Sequence, residues 1–249
     1  MTEVAEKRIT QSVEPSSGGE WMRLARWGAI GLVGFSLGLQ LVVGLIPPVL
    51  VIGVVFGVFT IFMTGERRRL GLIAAILAAL TIVGNAPFII DDLAHPNGGW
   101  VFALTLLSVL AGAAVIIGGL AGFFGWSPKP IFAIAVTFGA ILAVGTVVSL
   151  VSAASEDSVV AAAADVAVTA QGVQFGPTEI VLTADSSGVW IDNKDGVRHT
   201  FTIDDLGIDL ELPANTARRV DVEASSGSYA VFCSVPGHED MLATLKIEG

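Results

Sequence analysis

One loop near the C-terminus gathers most of the soft donor atoms of this chain: Cys233-Ser-Val-Pro-Gly-His238-Glu-Asp-Met241. It holds the single cysteine, one of three histidines and one of four methionines. A thiolate, an imidazole and a thioether so close together form a mixed ligand set. Copper favours that set when a second imidazole completes a trigonal site and the thioether sits weakly on the axis. The second imidazole has to come from elsewhere, and only His95 and His199 are available. His95 lies in Asp91-Asp-Leu-Ala-His95-Pro-Asn-Gly-Gly99, a run of turn formers, and reads as a loop histidine before Pro96. His199 lies in Asp195-Gly-Val-Arg-His199-Thr-Phe201-Thr-Ile203, which reads as a strand entered from a turn. Two other chemistries are weaker. A nucleophilic cysteine could use either histidine as its base, but no oxyanion feature is evident and the methionine would be idle. Zinc prefers four strong ligands, and methionine is a poor fourth.

The elements that must carry these residues are short β runs separated by turn signals. They are expected at Val173–Phe175, Glu179–Thr183, Val189–Asp192, His199–Ile203, Ile208–Leu212, Arg218–Glu223, Ser228–Cys233 and Leu242–Ile247. Gly-Pro at 176–177, Asp-Gly at 195–196 and Ser-Ser-Gly-Ser at 225–228 punctuate them. Eight short strands in this length suggest a small sandwich. Side chains alternate along a strand, so His199, Phe201 and Ile203 share one face of theirs. Tyr229, Val231 and Cys233 share one face of theirs. Cys233 ends a strand and Met241 precedes the next, so one turn braced by Pro236 and Gly237 delivers three donors.

These pieces, Asn193-Lys-Asp195-x-x-x-His199-Thr, Tyr229-x-Val231-x-Cys233 and Cys-x4-His-x2-Met, resemble a cupredoxin, the blue-copper family of plastocyanin, azurin and amicyanin. The resemblance covers roughly residues 165–249. The Cys-to-His wording is similar to azurin-like and auracyanin-like loops, and the short His-to-Met gap is more like amicyanin. The resemblance implies an all-β, cupredoxin-like Greek-key sandwich with one type 1 copper site. It implies His199, Cys233 and His238 as strong ligands and Met241 as the axial one. It further implies that Thr200 hydrogen-bonds across to the cysteine loop and that His238 is the electron exit.

The rest of the chain is of a different kind. The sequence is 53% hydrophobic with a mean hydropathy of +0.76, too apolar for an ordinary soluble domain. Residues 156–249 carry 16 Asp/Glu and 5 Lys/Arg, whereas residues 1–155 carry 7 and 8, so the acidic load belongs to the C-terminal part. Such a balance argues against nucleic acid as a partner. The lone cysteine excludes an intrachain disulfide.

Residues 1–22 read as a cytoplasmic disordered tail. A transmembrane α-helical bundle of five spans follows over 23–152, with spans at about 26–45, 47–64, 70–90, 100–124 and 131–151. Pro47-Pro48 makes a hairpin of the first two, and a re-entrant hairpin is the alternative; both return the chain to the same side. Residues 153–165 read as a linker and 166–249 as the copper domain.

All eight Lys/Arg before residue 156 lie in the N-terminal segment, at Arg67–Arg69 or at Lys129. An inside N-terminus puts every one of them in the cytoplasm and the copper domain outside. The Arg67–Arg69 triplet needs no ligand to explain it, and Asp91 and Asp92 read as solvated turn residues. The spans lack inward ionisable residues, which counts against a pump. Three Gly-x-x-x-Gly spacings, at Gly34, Gly53 and Gly118, would allow close helix contact.

The expectation is therefore a multi-pass cell-membrane electron carrier, not a catalyst. It would sit in the lipid bilayer and meet redox proteins that present a basic patch. The alternative is a copper-handling module or an accessory subunit of a larger membrane complex.

Overall fold

The structure is a computed structural model and describes residues 17–64, 67–183, 185–186 and 188–249. Among these residues the helices are α1 (Ser17–Val43), α2 (Pro47–Phe62), α3 (Arg68–Gly84), α4 (Ala86–Ala94), α5 (Trp100–Phe124) and α6 (Ile131–Ala154). Nine strands follow: β1 (Asp165–Ala170), β2 (Phe175–Gly176), β3 (Glu179–Leu182), β4 (Gly188–Asn193), β5 (His199–Ile203), β6 (Ile208–Leu212), β7 (Ala217–Val220), β8 (Gly227–Phe232) and β9 (Leu242–Ile247). The chain forms two compact units. Of the described residues, those in 17–36, 48–84 and 107–141 form one, and those in 37–47, 85–106 and 142–249 form the other.

The first unit is helical. Its core joins Met22, Ala25, Ala29 and Leu32 of α1 to Phe56 of α2, Ala74 and Ala78 of α3, and Ala111 and Val115 of α5. Half of this cluster is alanine, the kind of small residue that lets helix backbones approach closely. Gly118 of α5 shows how close: a Cβ there would lie 2.6 Å from the Ala25 nitrogen of α1. Of the three Gly-x-x-x-Gly pairs only Gly118/Gly122 puts both members against a neighbouring helix at short range, whereas Gly34 faces open space. The tail read over residues 1–22 lies outside the described residues up to Ser16. From Ser17 the chain is helical, and Trp21 and Met22 are buried. The Trp21 indole donates to the Trp126 carbonyl at 3.0 Å.

Of the five expected spans, the helices support three or four. Three helices are long and apolar enough to cross a membrane: Gly18–Val43, Trp100–Phe124 and Ile131–Ala154. A fourth crossing exists if α3 and α4 count as one broken span. They meet at 65° around Asn85, where one continuous helix over 70–90 was expected. The cause is Pro87, the second residue of α4, which has no N–H to give to the residue four before it. Helix α2 has 16 residues, fewer than the roughly 20 that a bilayer core requires. Outward-facing apolar side chains, such as Phe132 at 79% exposure on α6 and Val83 at 72% on α3, suit contact with acyl chains better than with water.

The second unit contains a β-sandwich. One sheet has the order β2-β1-β4-β7, with β1 parallel to β4; the other has the order β3-β9-β8-β5-β6, with β3 parallel to β9. The core between them comprises Val168, Ile180, Ile191, Phe201, Ile203, Leu212, Val231 and Leu245, with Cys233 and Met241 in the same cluster. The segment before β1 is pinned rather than loose. Val159 donates its N–H to the Ala217 carbonyl at 3.0 Å, and its own carbonyl accepts from the Trp190 indole.

Helix α4 and the turn after it also belong to this unit. Asp91 of α4 pairs with Arg198, Asn97 donates to Glu211 at 3.2 Å, and the Phe88 ring lies over Gly237. Asp91 and Asp92, expected as solvated turn residues, are thus helical and partnered; the Thr105 hydroxyl donates to Asp92.

Candidate metal centre

Strand β5 is buried on both faces. Phe201 and Ile203 point into the sandwich core with no exposed surface, and His199 at the strand's start is equally buried. Strand β8 brings Val231 to the same core from the neighbouring position, and Cys233 follows directly after its end. The chain then turns back on itself. His238 donates its N–H to the Val235 carbonyl and Met241 to the His238 carbonyl. The Cys233 N–H donates to the Met241 carbonyl at 3.1 Å, so the loop is closed at its root. Gly237 sits at φ +85°, a left-handed conformation that glycine adopts without a Cβ clash.

The result is a small triangle of donors. The Nδ1 atoms of His199 and His238 are 3.1 Å apart. The Cys233 sulfur lies 3.9 Å from the first and 3.6 Å from the second. A point equidistant from all three is about 2.1 Å from each, the reach of a metal–imidazole bond and close to that of a metal–thiolate bond. Met241 is fully buried and belongs to the same core cluster as Cys233. Two imidazole nitrogens and a sulfur this close together, with His199 and Cys233 buried, fit a soft cation better than they fit one another.

The surroundings fix each ligand. The Thr200 N–H donates to the Cys233 sulfur at 3.3 Å, and the Thr200 hydroxyl accepts from the Ser234 N–H at 2.8 Å. This is the bridge from β5 to the cysteine loop that the resemblance implied. Nε2 of His199 lies 2.9 Å from a carboxylate oxygen of Asp195. A carboxylate there accepts, so Nε2 carries the proton and Nδ1 offers its lone pair to the triangle. Asn193 holds the turn: its side-chain amide donates to the carbonyls of Val197, Leu212 and Pro213, and its carbonyl oxygen accepts from the Asp195 N–H.

Burial also sets the proton affinities. It pushes His199 below its usual value, against the opposing pull of Asp195. His238 is lowered to about 4, by burial first and then by the charges of His199 and Arg198. For Asp195 burial acts upward, but the bonds from the Gly172 N–H, His199 and the Val173 N–H outweigh it and hold the carboxyl below the usual range. Both imidazoles are therefore neutral in the metal-free fold at neutral pH.

A pH dependence of stability follows. The unfolded chain binds protons on these histidines near pH 6.5, whereas folded His238 does so only near about 4. Below 6.5 the unfolded state binds more protons, so stability rises with pH across this window. The metal-free protein should be fully stable above about 6.5 and should lose stability as pH falls towards 4. Thermal melts of copper-stripped protein across that range check it, and a flat profile would contradict it.

The other residues picked out in the sequence stay apart from this cluster. His95 caps α4, with Nδ1 2.7 Å from the Asp91 carbonyl oxygen, and joins no metal-binding group among the described residues. Arg67–Arg69 line an open hollow with Leu70 and Phe123. Sequence reasoning gave no role to Asp195, Asn193, Gly172 or Arg198. The one available signal was the spacing of Asp195 four residues before His199 in a turn.

Residues 140–245 match the family model of the cupredoxin-like domain. No curated protein matches the chain significantly. Similar solved structures include auracyanin B, 22% identical over 38% of this chain and 96% of that one, with a TM-score of 0.29. The oxidised P96G mutant of amicyanin is 13% identical over 37% of this chain and 90% of that one, with a TM-score of 0.32. The copper-containing nitrite reductase of Thermus scotoductus SA-01 is 21% identical over 36% of this chain, with a TM-score of 0.30, and this chain spans only 25% of its length. The C-terminal part of the chain is a cupredoxin-like domain, and its His199, Cys233, His238 and Met241 form a cluster of the type 1 copper kind.

Proposed function

We propose that this chain is a membrane-anchored type 1 copper protein that passes single electrons between redox partners on the outer face of the membrane. The observation that carries the reading is the triangle of His199, His238 and Cys233 donors, closed by a loop whose two ends are hydrogen-bonded to each other. Copper supplies the one-electron couple. The protein supplies donors that need not move between the two oxidation states, because β5, β8 and the loop root hold them. Burial of His199, Cys233 and Met241 keeps water from the metal's flanks. His238, half-buried and one residue after the Gly237 over which the Phe88 ring lies, is the side chain best placed to pass the electron outward.

Position outside the membrane rests on the eight Lys/Arg before residue 156: holding Arg67–Arg69 on the same side as the N-terminal segment returns the chain after α1 and α2, and the three crossings by α3–α4, α5 and α6 then carry it across. An impermeant label reaching the β-domain in intact cells tests that side. The acidic surface favours a partner with a basic patch, so electron transfer should slow as salt rises.

The direct test is redox cycling of the full chain loaded with one copper. Retention of the metal through repeated reduction and oxidation is expected. Loss of copper to a chelator on reduction would point to copper handling instead. The axial position has its own test. Met241→Gln exchanges a weak thioether for a harder oxygen donor, which favours Cu(II), so the colour should persist at a lower potential. An unchanged potential would mean that Met241 is not bound.

A further inference from the structure

The network behind His199 contains a feature that the copper ligands alone do not require. Strands β1 and β2 are joined through Gly172 and Val173, with the Gln171 N–H donating to the Gln174 carbonyl at 3.0 Å. Both central residues have positive φ, 62° and 57°. That is the twist of a tight hairpin turn, in which Asn-Gly or Gly-Gly is the usual pair. A β-branched valine in the left-handed region is strained. Its side chain finds some compensation against the sandwich core. The geometry also has a use: two successive turn amides point at one carboxylate. Asp195 accepts from the Gly172 N–H at 3.0 Å and from the Val173 N–H at 3.3 Å. It reaches His199 Nε2 at 2.9 Å with the oxygen that Val173 contacts. The turn after β4 holds the other side of Asp195, through Asn193 and through the Asn215 N–H on its carbonyl.

Resting on the copper reading above, we propose that Asp195, anchored by the strained Gly172–Val173 turn, is a positioning residue for the copper ligand His199, and that its negative charge biases the site towards Cu(II). Two effects are separable. The acceptor oxygen keeps the proton on Nε2, fixes the ring and leaves Nδ1 free for the metal, as outer partners of ligating histidines do. The charge, one imidazole away from the metal, favours the more positive oxidation state.

The test uses the full-length protein in detergent, loaded with copper, and compares Asp195→Asn and Asp195→Ala with wild type and with Glu248→Gln, a change of equal charge in an exposed residue beyond the far end of β9. Asp195→Asn keeps an acceptor oxygen and removes the charge. It should retain the blue spectrum while the affinity ratio of Cu(II) to Cu(I) falls about tenfold, read as a potential higher by about 59 mV for one electron. Asp195→Ala also removes the acceptor and should weaken Cu(II) binding roughly 10- to 100-fold, with an altered electron paramagnetic resonance spectrum. If Asp195→Ala fails to fold, Asp195→Asn carries the test alone. A blue wild type whose Asp195→Asn variant keeps the wild-type potential overturns this proposal and leaves the copper reading standing. A wild type that binds no copper overturns both.

Discussion

Cys233→Ser should abolish the intense blue colour of the Cu(II)-loaded protein while leaving the fold in place. The thiolate is the one anionic ligand of the triangle, and its bond to copper gives this class of site its colour and its soft character. Losing it should lower copper affinity by more than the roughly 10- to 100-fold that removal of a hydrogen-bond partner behind a ligand costs. The fold should tolerate the change. Cys233 is 4% exposed, serine is of similar size, and the Thr200 N–H that donates to the sulfur can donate to a hydroxyl. Absorption and copper stoichiometry of the purified variant report the first effect, and circular dichroism reports the second. A variant that stays blue would show that the colour, and hence the copper, has another origin.

Phe201→Ala should be the most damaging change to the sandwich itself. The ring is fully buried and meets Phe175 edge to face, with centroids 5.8 Å apart. Removing a buried phenyl group costs about 3–5 kcal/mol through lost transfer energy and the cavity left behind. In a domain of this size that shifts the melting temperature by well over about 10 °C. The site should follow the core, because Phe201 is two residues from His199 on the same strand face. The temperature at which the blue colour is lost is therefore a convenient readout. Phe201→Leu, which keeps most of the volume, should lose much less, and equal colour-loss temperatures for Ala and wild type would contradict the packing described.

What could be read from the sequence was local. The period-2 pattern through His199-Thr-Phe201-Thr-Ile203 and Tyr229-Ala-Val231-Phe-Cys233 placed the ligands on their strands, because alternation follows from backbone geometry alone. The loop spacing named the soft donors. Other features escaped because they depend on partners distant in the chain. No strand was expected at β1, Asp165–Ala170, at the start of the copper domain, because the valine and alanine at its inward positions carry a weak signal; pairing with β4 makes it a strand. The break between α3 and α4 was written in Pro87 but masked by the apolar run around it. The role of Asp195 needs the Gly172–Val173 turn to fold over it from more than twenty residues away. Asp91 needs Arg198, which lies 107 residues later.

The most direct test of the central claim is the copper X-ray absorption spectrum of the full-length protein. The triangle predicts one sulfur at roughly 2.3 Å and two imidazole nitrogens at roughly 2.0–2.1 Å, the reach of these ligands to a first-row metal. A first shell of nitrogen and oxygen alone, with no sulfur, would contradict a site built from Cys233, His199 and His238.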